Sequence, residues 1–561
     1  NLKKVINFDI LKQMLSDEVI EGDEAYEFTW VGKKASIVEA NRPIRKTLRP
    51  CKEESVDWDT TENLYIEGDN LEVLKLLQES YLGAVKMIYI DPPYNTGHDF
   101  IYPDSFIMDN EEYNEGIGYF DEEGNVNFKR ENSVSAGKYH SDWCSMMYSR
   151  LMLARNLLTD DGAIFISIDE NEQTNIKKLC EEVFGEENRI AEFIVIRAEG
   201  GGMAKQVIKG HDYLFVYAKS ISHFTPLGKP KDIRGKVVER EGETYWVQED
   251  WLRKEFGKYG NCHYEEILEY KGQAKLDEIN TGLANGKYIL IPKANGMNVV
   301  GKLRNLKEDS SKFYSVLKHL SARGIEDLKA LEMDKYFSYP KPVSLISEMI
   351  SGMTLFTGKK NDVILDFFSG SATTAQAVME MNAVDKGNRK YIMVQLPEKI
   401  DEETVACREG YETICEIGKE RIRRAAKKIK EENPMACFDG GFRVFKLDDS
   451  NMTDVYYSAE EYSQDLLSML ESNIKSDRTD LDLLFGCLLE WGLPLSLPYT
   501  SETLEGCTIH TYNDGDLIAC FDENIPDSVI KEIAKRQPLR AVFRDSCFAN
   551  SPSKINVGEV F

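Results

Sequence analysis

Four consecutive residues, Asp91-Pro92-Pro93-Tyr94, place a carboxylate, two rigid imino acids and an aromatic ring directly after the apolar run Met87-Ile88-Tyr89-Ile90. Such a run reads as a buried strand. The Asp91 carboxylate and the Pro92 carbonyl are both hydrogen-bond acceptors. Proline offers no N–H at that edge, and its fixed φ holds the carbonyl in place. Tyr94 adds a flat face on which a planar group can stack. The plainer alternative is a proline-terminated strand whose Asp acts as a cap.

A second group lies in DVILDFFSGSATTAQAVME, Asp362 to Glu380. It reads as a strand ending near Asp366 to Phe368, a turn of small residues (Ser369, Gly370, Ser371, Ala372) and a helix opened by Thr373 and Thr374. Small residues let a ligand approach the backbone closely; alone, the segment is equally a tight turn between strand and helix. In a doubly wound sheet the ligand sits beyond the carboxyl ends of two adjacent strands whose crossovers run opposite ways. If the strands ending at Asp91 and Asp366 are neighbours, a cofactor at one meets a substrate at the other.

Other elements must hold these two strand ends together. Short apolar runs recur at 63–69, 85–91, 162–169, 192–197, 213–219, 362–368 and 391–396. Amphipathic stretches such as 70–81 and 146–158 lie between them, the second expected to stop at Thr159-Asp160-Asp161-Gly162. Unbroken apolar strands alternating with helices imply an α/β fold, a mostly parallel sheet covered on both faces. The alternation lapses over about 221–334, a turn-rich stretch carrying Tyr245, Trp246, Trp251, Phe256 and Tyr259. The expected organisation is an N-terminal arm (1–60), the first half of an α/β domain (61–220), an inserted domain (221–334), the second half (335–433) and an acidic α+β C-terminal domain (434–561).

A chain of 561 residues exceeds one ordinary core. It contains no 18-residue apolar run, so no membrane-spanning helix, membrane partner or secretory segment is expected. Eleven cysteines without a CxxC read as reduced thiols of a cytoplasmic protein, with no metal site. The net charge of −27 argues against a nucleic-acid partner until its distribution is read. Residues 431–561 hold 10 basic against 24 acidic side chains, whereas 221–320 hold 17 against 14, so the acidic tail suits protein contacts and the middle stays open to DNA.

DPPYNTG and the DFFSGSATT turn resemble the catalytic and S-adenosylmethionine motifs of amino-methylating DNA methyltransferases. The family pattern at the second is FxGSGTT; here Ala372 replaces a glycine, and a positive φ there would strain the turn by about 1 kcal/mol or more. The order of the motifs, with the insertion between them, resembles the permuted β group. The opening INFDILKQMLSDEV, the run HSDWCSMMYSRL and the tail LLEWGLPLSLP and KINVGEVF resemble the modification (Mod) subunits of type III restriction-modification systems. The resemblance implies a Rossmann-like methyltransferase sheet, with the insertion as target-recognition domain.

It also implies the chemistry. An adenine amine is a weak nucleophile because its lone pair is delocalised into the ring. Acceptance of its two hydrogens by Asp91 and Pro92 favours a more tetrahedral nitrogen, and the nearby carboxylate stabilises the positive charge that develops there. Tyr94 would hold a base flipped out of duplex DNA. S-adenosylmethionine would lie along Asp366, Phe368, Gly370, Ser371 and Thr373, with Asp69 at its adenine amine and Gln395 or Glu398 at its ribose. Lys341 and Pro342 of SYPKPVSLI would close over it. Cytosine-amine enzymes more often carry Ser at the first motif position, so Asp91 favours N6 of adenine over N4 of cytosine.

The resemblance further implies a homodimer and a restriction helicase-nuclease (Res) partner, and it leaves open a DNA-recognition scaffold with weak methylation. Within the insertion Arg234, Lys236, Arg240, Arg253, Lys254, Lys302 and Arg304 are candidates for DNA contact. His140-Ser141-Asp142-Trp143 reads as a helix start with a buried Trp. In KERIRRAAKKIK (419–430), Arg421, Arg424 and Lys428 share one helical face, either solvated or a phosphate-contacting stripe.

Overall fold

The computed structural model describes residues 27–97, 139–200, 207–230, 233, 235–240, 242–255, 260–306, 309–354, 361–453 and 473–547. The opening INFDILKQMLSDEV, the tail KINVGEVF, Arg234, Phe256 and Tyr259 lie outside the described residues.

Ten strands form one large sheet: β1 (Lys46–Val56), β2 (Leu64–Glu67), β3 (Val85–Ile90), β4 (Leu158–Ile168), β5 (Arg189–Ile196), β6 (His211–Ala218), β7 (Val316–Lys318), β8 (Val363–Asp366), β9 (Lys390–Gln395) and β10 (Phe442–Asp449). Their order across the sheet is β1-β10-β2-β9-β8-β3-β4-β6-β5-β7. From β10 to β4 the six strands run parallel; β6 is antiparallel to both neighbours, and β1 is antiparallel to β10.

The central strands β2, β3 and β8 are nearly all apolar because both faces are covered. Ile88 and Ile90 face one core, with α1 (Asn70–Tyr81), α2 (Tyr139–Leu157), α3 (Gln173–Phe184) and a C-terminal helix (Asp480–Glu490). Met87 and Tyr89 face the other, under α5 (Val343–Thr354), α6 (Thr373–Asp385) and α7 (Ile414–Glu432). A short helix, α4 (Ser321–Lys329), precedes α5.

β3 and β8 are direct neighbours, with Ile364 opposite Met87 and Leu365 opposite Ile88. The β3 crossover leads through α2 to β4 on one side, and the β8 crossover through α6 to β9 on the other. That is the switch point of a doubly wound sheet, and it lies between the strands that deliver Asp91 and Asp366.

The sheet reaches past the boundaries expected for it. β1 comes from the expected arm, β7 from the insertion and β10 from the expected C-terminal domain. α2 stops at Leu157, just ahead of Thr159-Asp160-Asp161-Gly162, as expected, and that segment is itself the bulged start of β4 rather than a turn before it. Val85 pairs with Leu158 and Met87 with Ala163, so the intervening residues loop out of register. Lys86 holds the bulge through its Nζ, 2.6 Å from Asp161 Oδ2.

The insertion has its own four-stranded antiparallel sheet, ordered Tyr288–Pro292, Asn298–Asn305, Glu243–Gln248, Val237–Arg240, around a small core of Leu252, Cys262, Ile267, Ile279 and Val300. A second four-stranded sheet with the helix Asp527–Lys535 forms the C-terminal α+β unit.

Candidate active site

The loop after β3 is held by residues distant in sequence. Trp143, fully buried on α2, donates through Nε1 to the Pro93 carbonyl at 2.8 Å. Asn95 takes φ 58°, the left-handed region that asparagine tolerates, and its amide donates to Glu172 Oε1 at 2.5 Å. His140 Nδ1 lies 2.6 Å from the same Glu172 oxygen, and the Tyr139 hydroxyl donates to the Asn95 carbonyl. The HSDW segment is thus a helix start with a buried Trp, as expected, and the Trp also fixes the loop.

With Pro93 engaged, the Pro92 carbonyl has no donor among the described residues. Asp91 Oδ1 is buried without a hydrogen-bond partner among the described residues. Lys341 Nζ lies 3.0 Å from it, an ion pair by distance whose angle misses hydrogen-bond geometry. The same ammonium donates to the Tyr94 hydroxyl and sits 4.7 Å from the Tyr94 ring centroid. Burial, then the nearby Asp91 charge, pushes the Tyr94 phenol well above its ordinary range.

Lys341 reaches this point because α4 presses on the SYPKP segment. A Cβ at Gly324 would stand 2.1 Å from the Pro340 carbonyl oxygen, so only glycine permits the approach. The Val343 N–H caps the arrangement by donating to Asp327 Oδ2 at 2.9 Å. Pro342 is buried beside it.

Beyond β8, Asp366 is buried and accepts from the Phe368 N–H at 3.1 Å and the Thr374 hydroxyl at 2.5 Å. Burial raises its pKa to about 7. Gly370 (φ 50°) and Ala372 (φ 60°, ψ 40°) both take the left-handed conformation, so Ala372 does occupy a position that favours glycine. A Cβ added at Gly370 would meet only Phe337, at 3.6 Å, which leaves the turn's surface open to a ligand. The Ser369 hydroxyl is buried with no hydrogen-bond partner among the described residues. Phe368 packs against Phe367, ring centroids 5.3 Å apart.

Gln395, at the end of β9, points its amide back at the turn: Oε1 accepts from the Gly370 N–H at 2.7 Å. Glu398 is half-buried, and burial alone raises its pKa; its carboxylate has no hydrogen-bond or ion-pair partner among the described residues. Asp69 caps α1, accepting from the Leu71 and Glu72 N–H groups at 2.9 and 3.2 Å, while Oδ2 lies 3.3 Å from the buried Arg150. Asn70 joins the two loops by donating to the Phe367 carbonyl at 2.7 Å.

The basic face of α7 is not a phosphate stripe. Arg421 is fully buried against the β8 turn, and Arg424 donates to the Leu331 and Glu332 carbonyls at 3.1 and 3.0 Å while pairing with Glu420. Lys419 is buried against Glu54 and Glu67. Lys428, paired loosely with Glu432, meets solvent as expected. Helical spacing puts these side chains on one face; tertiary packing makes that face the inner one.

In the insertion most candidate cations are engaged at the surface rather than buried. Arg253 pairs with Asp250, Lys254 with Glu266, and Arg304 with Asp309 at 2.7 Å, while Arg240 reaches the Gly286 carbonyl. Lys236 is exposed, and Lys302 lies 5.8 Å from the Trp251 ring centroid.

A family model described as DNA methylase matches residues 85–427, from β3 through nearly all of α7. The chain is 32% identical over 454 residues to the StyLTI Mod subunit, a type III restriction-modification enzyme of Salmonella typhimurium, across 78% of this chain and 68% of that protein. It is 30% identical over 522 residues to the EcoP15I Mod subunit of Escherichia coli, across 81% and 78% respectively. With the EcoPI Mod subunit of Escherichia phage P1 the identity is 29% over 567 residues, across 90% of this chain and 83% of that one. The chain belongs to the DNA methylase family, alongside the Mod subunits of type III restriction-modification enzymes.

Proposed function

We propose that this chain methylates the N6 amine of an adenine flipped out of a specific duplex DNA sequence, as the modification and recognition subunit of a type III system. The observation that carries the reading is the pairing of β3 with β8. It sets Asp91 Oδ1, a buried acceptor without a donor, beside a turn whose glycine is open to a ligand. S-adenosylmethionine, when bound, supplies a methyl group made electrophilic by its sulfonium.

The chain's own residues do the rest. Asp91 and the Pro92 carbonyl accept the two hydrogens of the amine and free its lone pair; the Asp91 carboxylate stabilises the positive charge that develops on the nitrogen. Pro93, pinned by Trp143, fixes the loop, and Tyr94 stacks the base. Asp366, Phe368, Gly370, Ser371 and Thr373 line the cofactor's amino-acid end. Asp69 keeps lone pairs for the adenine amine of the cofactor, since each carboxylate oxygen accepts more than one bond. Glu398 takes the ribose hydroxyls, because its carboxylate is unengaged whereas both ends of the Gln395 amide are tied to the backbone of Gly370 and Leu396.

Lys236 and Lys302 of the 221–334 insertion are the first candidates for DNA contact, Arg234 and Arg253 with Lys254 and Arg304 the next. The protein works in the cytoplasm as a homodimer and pairs with a Res subunit. Sedimentation giving only a 64.1 kDa species at micromolar concentration would count against the dimer.

The deciding experiment is transfer of labelled methyl to unmodified genomic DNA, followed by nucleoside analysis. N6-methyladenine is expected, and N4-methylcytosine alone would overturn the base assignment. The left-handed Ala372 favours a second reading, a recognition scaffold with weak methylation. Asp91→Ala separates the two. Methylation lost with specific DNA binding and partner assembly retained gives the chain both roles, whereas a wild type that never methylates leaves only the scaffold.

A further inference from the structure

Arg421 is an unusual neighbour for a turn of small neutral residues. It is 0% exposed. Its Nη1 donates to Ser371 Oγ at 2.8 Å, to Thr373 Oγ1 at 2.6 Å and weakly to the Ser371 carbonyl at 3.5 Å; its Nε donates to Gln376 Oε1 at 2.9 Å. Among the described residues no carboxylate stands within ion-pair distance. Asp327 and Glu380 act on it from farther away, Glu380 through the Gln376 amide, which donates to it at 2.8 Å. Nη2 is buried without a hydrogen-bond partner among the described residues. Burial lowers the Arg421 pKa to about 10, which leaves the guanidinium charged at neutral pH.

A buried cation without an anion is costly, and bracing α7 against α6 would need only a neutral amide. The hydroxyls show what the charge does. A guanidinium can only donate, so Ser371 and Thr373 must accept from it, and each hydroxyl hydrogen is directed away from Arg421. A hydroxyl polarised by a cation behind it is a stronger donor in front. The result is a positive site at the first turn of α6, fronted by two donors and lacking its negative partner.

We propose that Arg421 completes, as its positioning residue, the unit in which Ser371 and Thr373, already placed along the amino-acid end of the cofactor, meet its α-carboxylate, a reading that rests on S-adenosylmethionine being the methyl donor. Ser371 and Thr373 touch the carboxylate. Arg421 is a positioning residue that orients their hydroxyls and supplies the counter-charge from behind.

The test is calorimetric titration of the full chain with S-adenosylmethionine and with decarboxylated S-adenosylmethionine, which differs only in lacking the carboxylate. Wild type should prefer the first by about 10-fold or more, the scale of a charge-assisted hydrogen bond. Arg421→Met should abolish that preference by weakening S-adenosylmethionine alone, and Arg421→Lys should restore part of it. Thr373→Val and Ser371→Ala should each shrink the preference too, and they carry the test if Arg421→Met does not fold. Equal weakening of both ligands in these variants, or a preference left unchanged, would overturn the unit. A wild type that binds both ligands equally overturns it while sparing the cofactor reading, whereas one that binds neither brings down the cofactor reading and this proposal together.

Discussion

Lys341 Nζ lies 3.0 Å from Asp91 Oδ1 and also donates to the Tyr94 hydroxyl, so one ammonium spans the carboxylate and the ring assigned to the target base. It stands where a target amine would have to come, and the two cannot share the carboxylate. Entry of the base therefore displaces Lys341. Lys341→Met should ease that entry. We expect brighter 2-aminopurine fluorescence from a duplex carrying the probe at the target position, and unchanged or dimmer emission would show that Lys341 does not guard the site.

Trp143→Phe keeps the buried ring but leaves the Pro93 carbonyl without its donor. The lost bond costs about 1–3 kcal/mol of stability. A loop released by even an ångström loses about 10- to 100-fold in turnover. Steady-state kinetics should show kcat falling while KM for S-adenosylmethionine holds, because the cofactor turn belongs to another strand.

Ala372→Gly is a near-neutral exchange by magnitude. Relief of the left-handed strain is worth about 1–2 kcal/mol. Against it stand the added freedom of the unfolded chain, about 0.4–1 kcal/mol, and the lost burial of a methyl group, about 0.8 kcal/mol. Thermal unfolding should move little, and methylation should stay within about threefold of wild type. A gain of tenfold or more would favour the weak-methylation reading.

Glu398→Ala and Gln395→Ala should separate cleanly. The first removes an unengaged carboxylate and should weaken S-adenosylmethionine binding by about 10-fold with little change in melting temperature. The second removes the acceptor of the Gly370 N–H and should lower the melting temperature as well. Equal effects from both would remove the ribose role from Glu398.

Asp366 gives the protein a pH dependence of unusual sign for a carboxylate. Burial raises it from the ordinary 3.8 to about 7, so the folded chain holds a proton that the unfolded chain gives up. Its contribution to stability is full below about pH 4 and falls as pH rises towards 7. Urea unfolding of wild type and Asp366→Asn across that range should diverge by about 4 kcal/mol. Parallel curves would mean that the carboxyl ionises freely in the fold.

Much of this was legible in the chain itself. The strands ending at Asp91 and Asp366 are unbroken apolar runs, and two such strands with ligand-adapted turns belong at a switch point. β1 escaped detection because KTLRPCKEESV is an edge strand with a half-exposed pattern, and β7 has only three residues. The basic face of α7 was misleading for a related reason. Helical spacing says which side chains share a face, but not whether solvent or the neighbouring turn lies beyond it. Trp143 and Pro93 meet only because α2 packs beside β3, which no local pattern encodes.

The antiparallel course of β6 has a consequence for how such enzymes diversify. β6 ends, at Ala218, on the sheet edge opposite the one that carries Asp91, and Lys219 is fastened there to the Gly162 carbonyl at 3.0 Å. β7 is the outermost strand, four places from β3, and its register, with Val316 opposite Ile194, sets it level with the carboxyl ends of the parallel strands. The excursion from 219 to 315 thus leaves from the far side and rejoins the sheet at its lateral margin, four strands from β3. It is built as a cassette: a segment of different length or sequence can be spliced between those two strands while the register of β3 against β8 stays untouched.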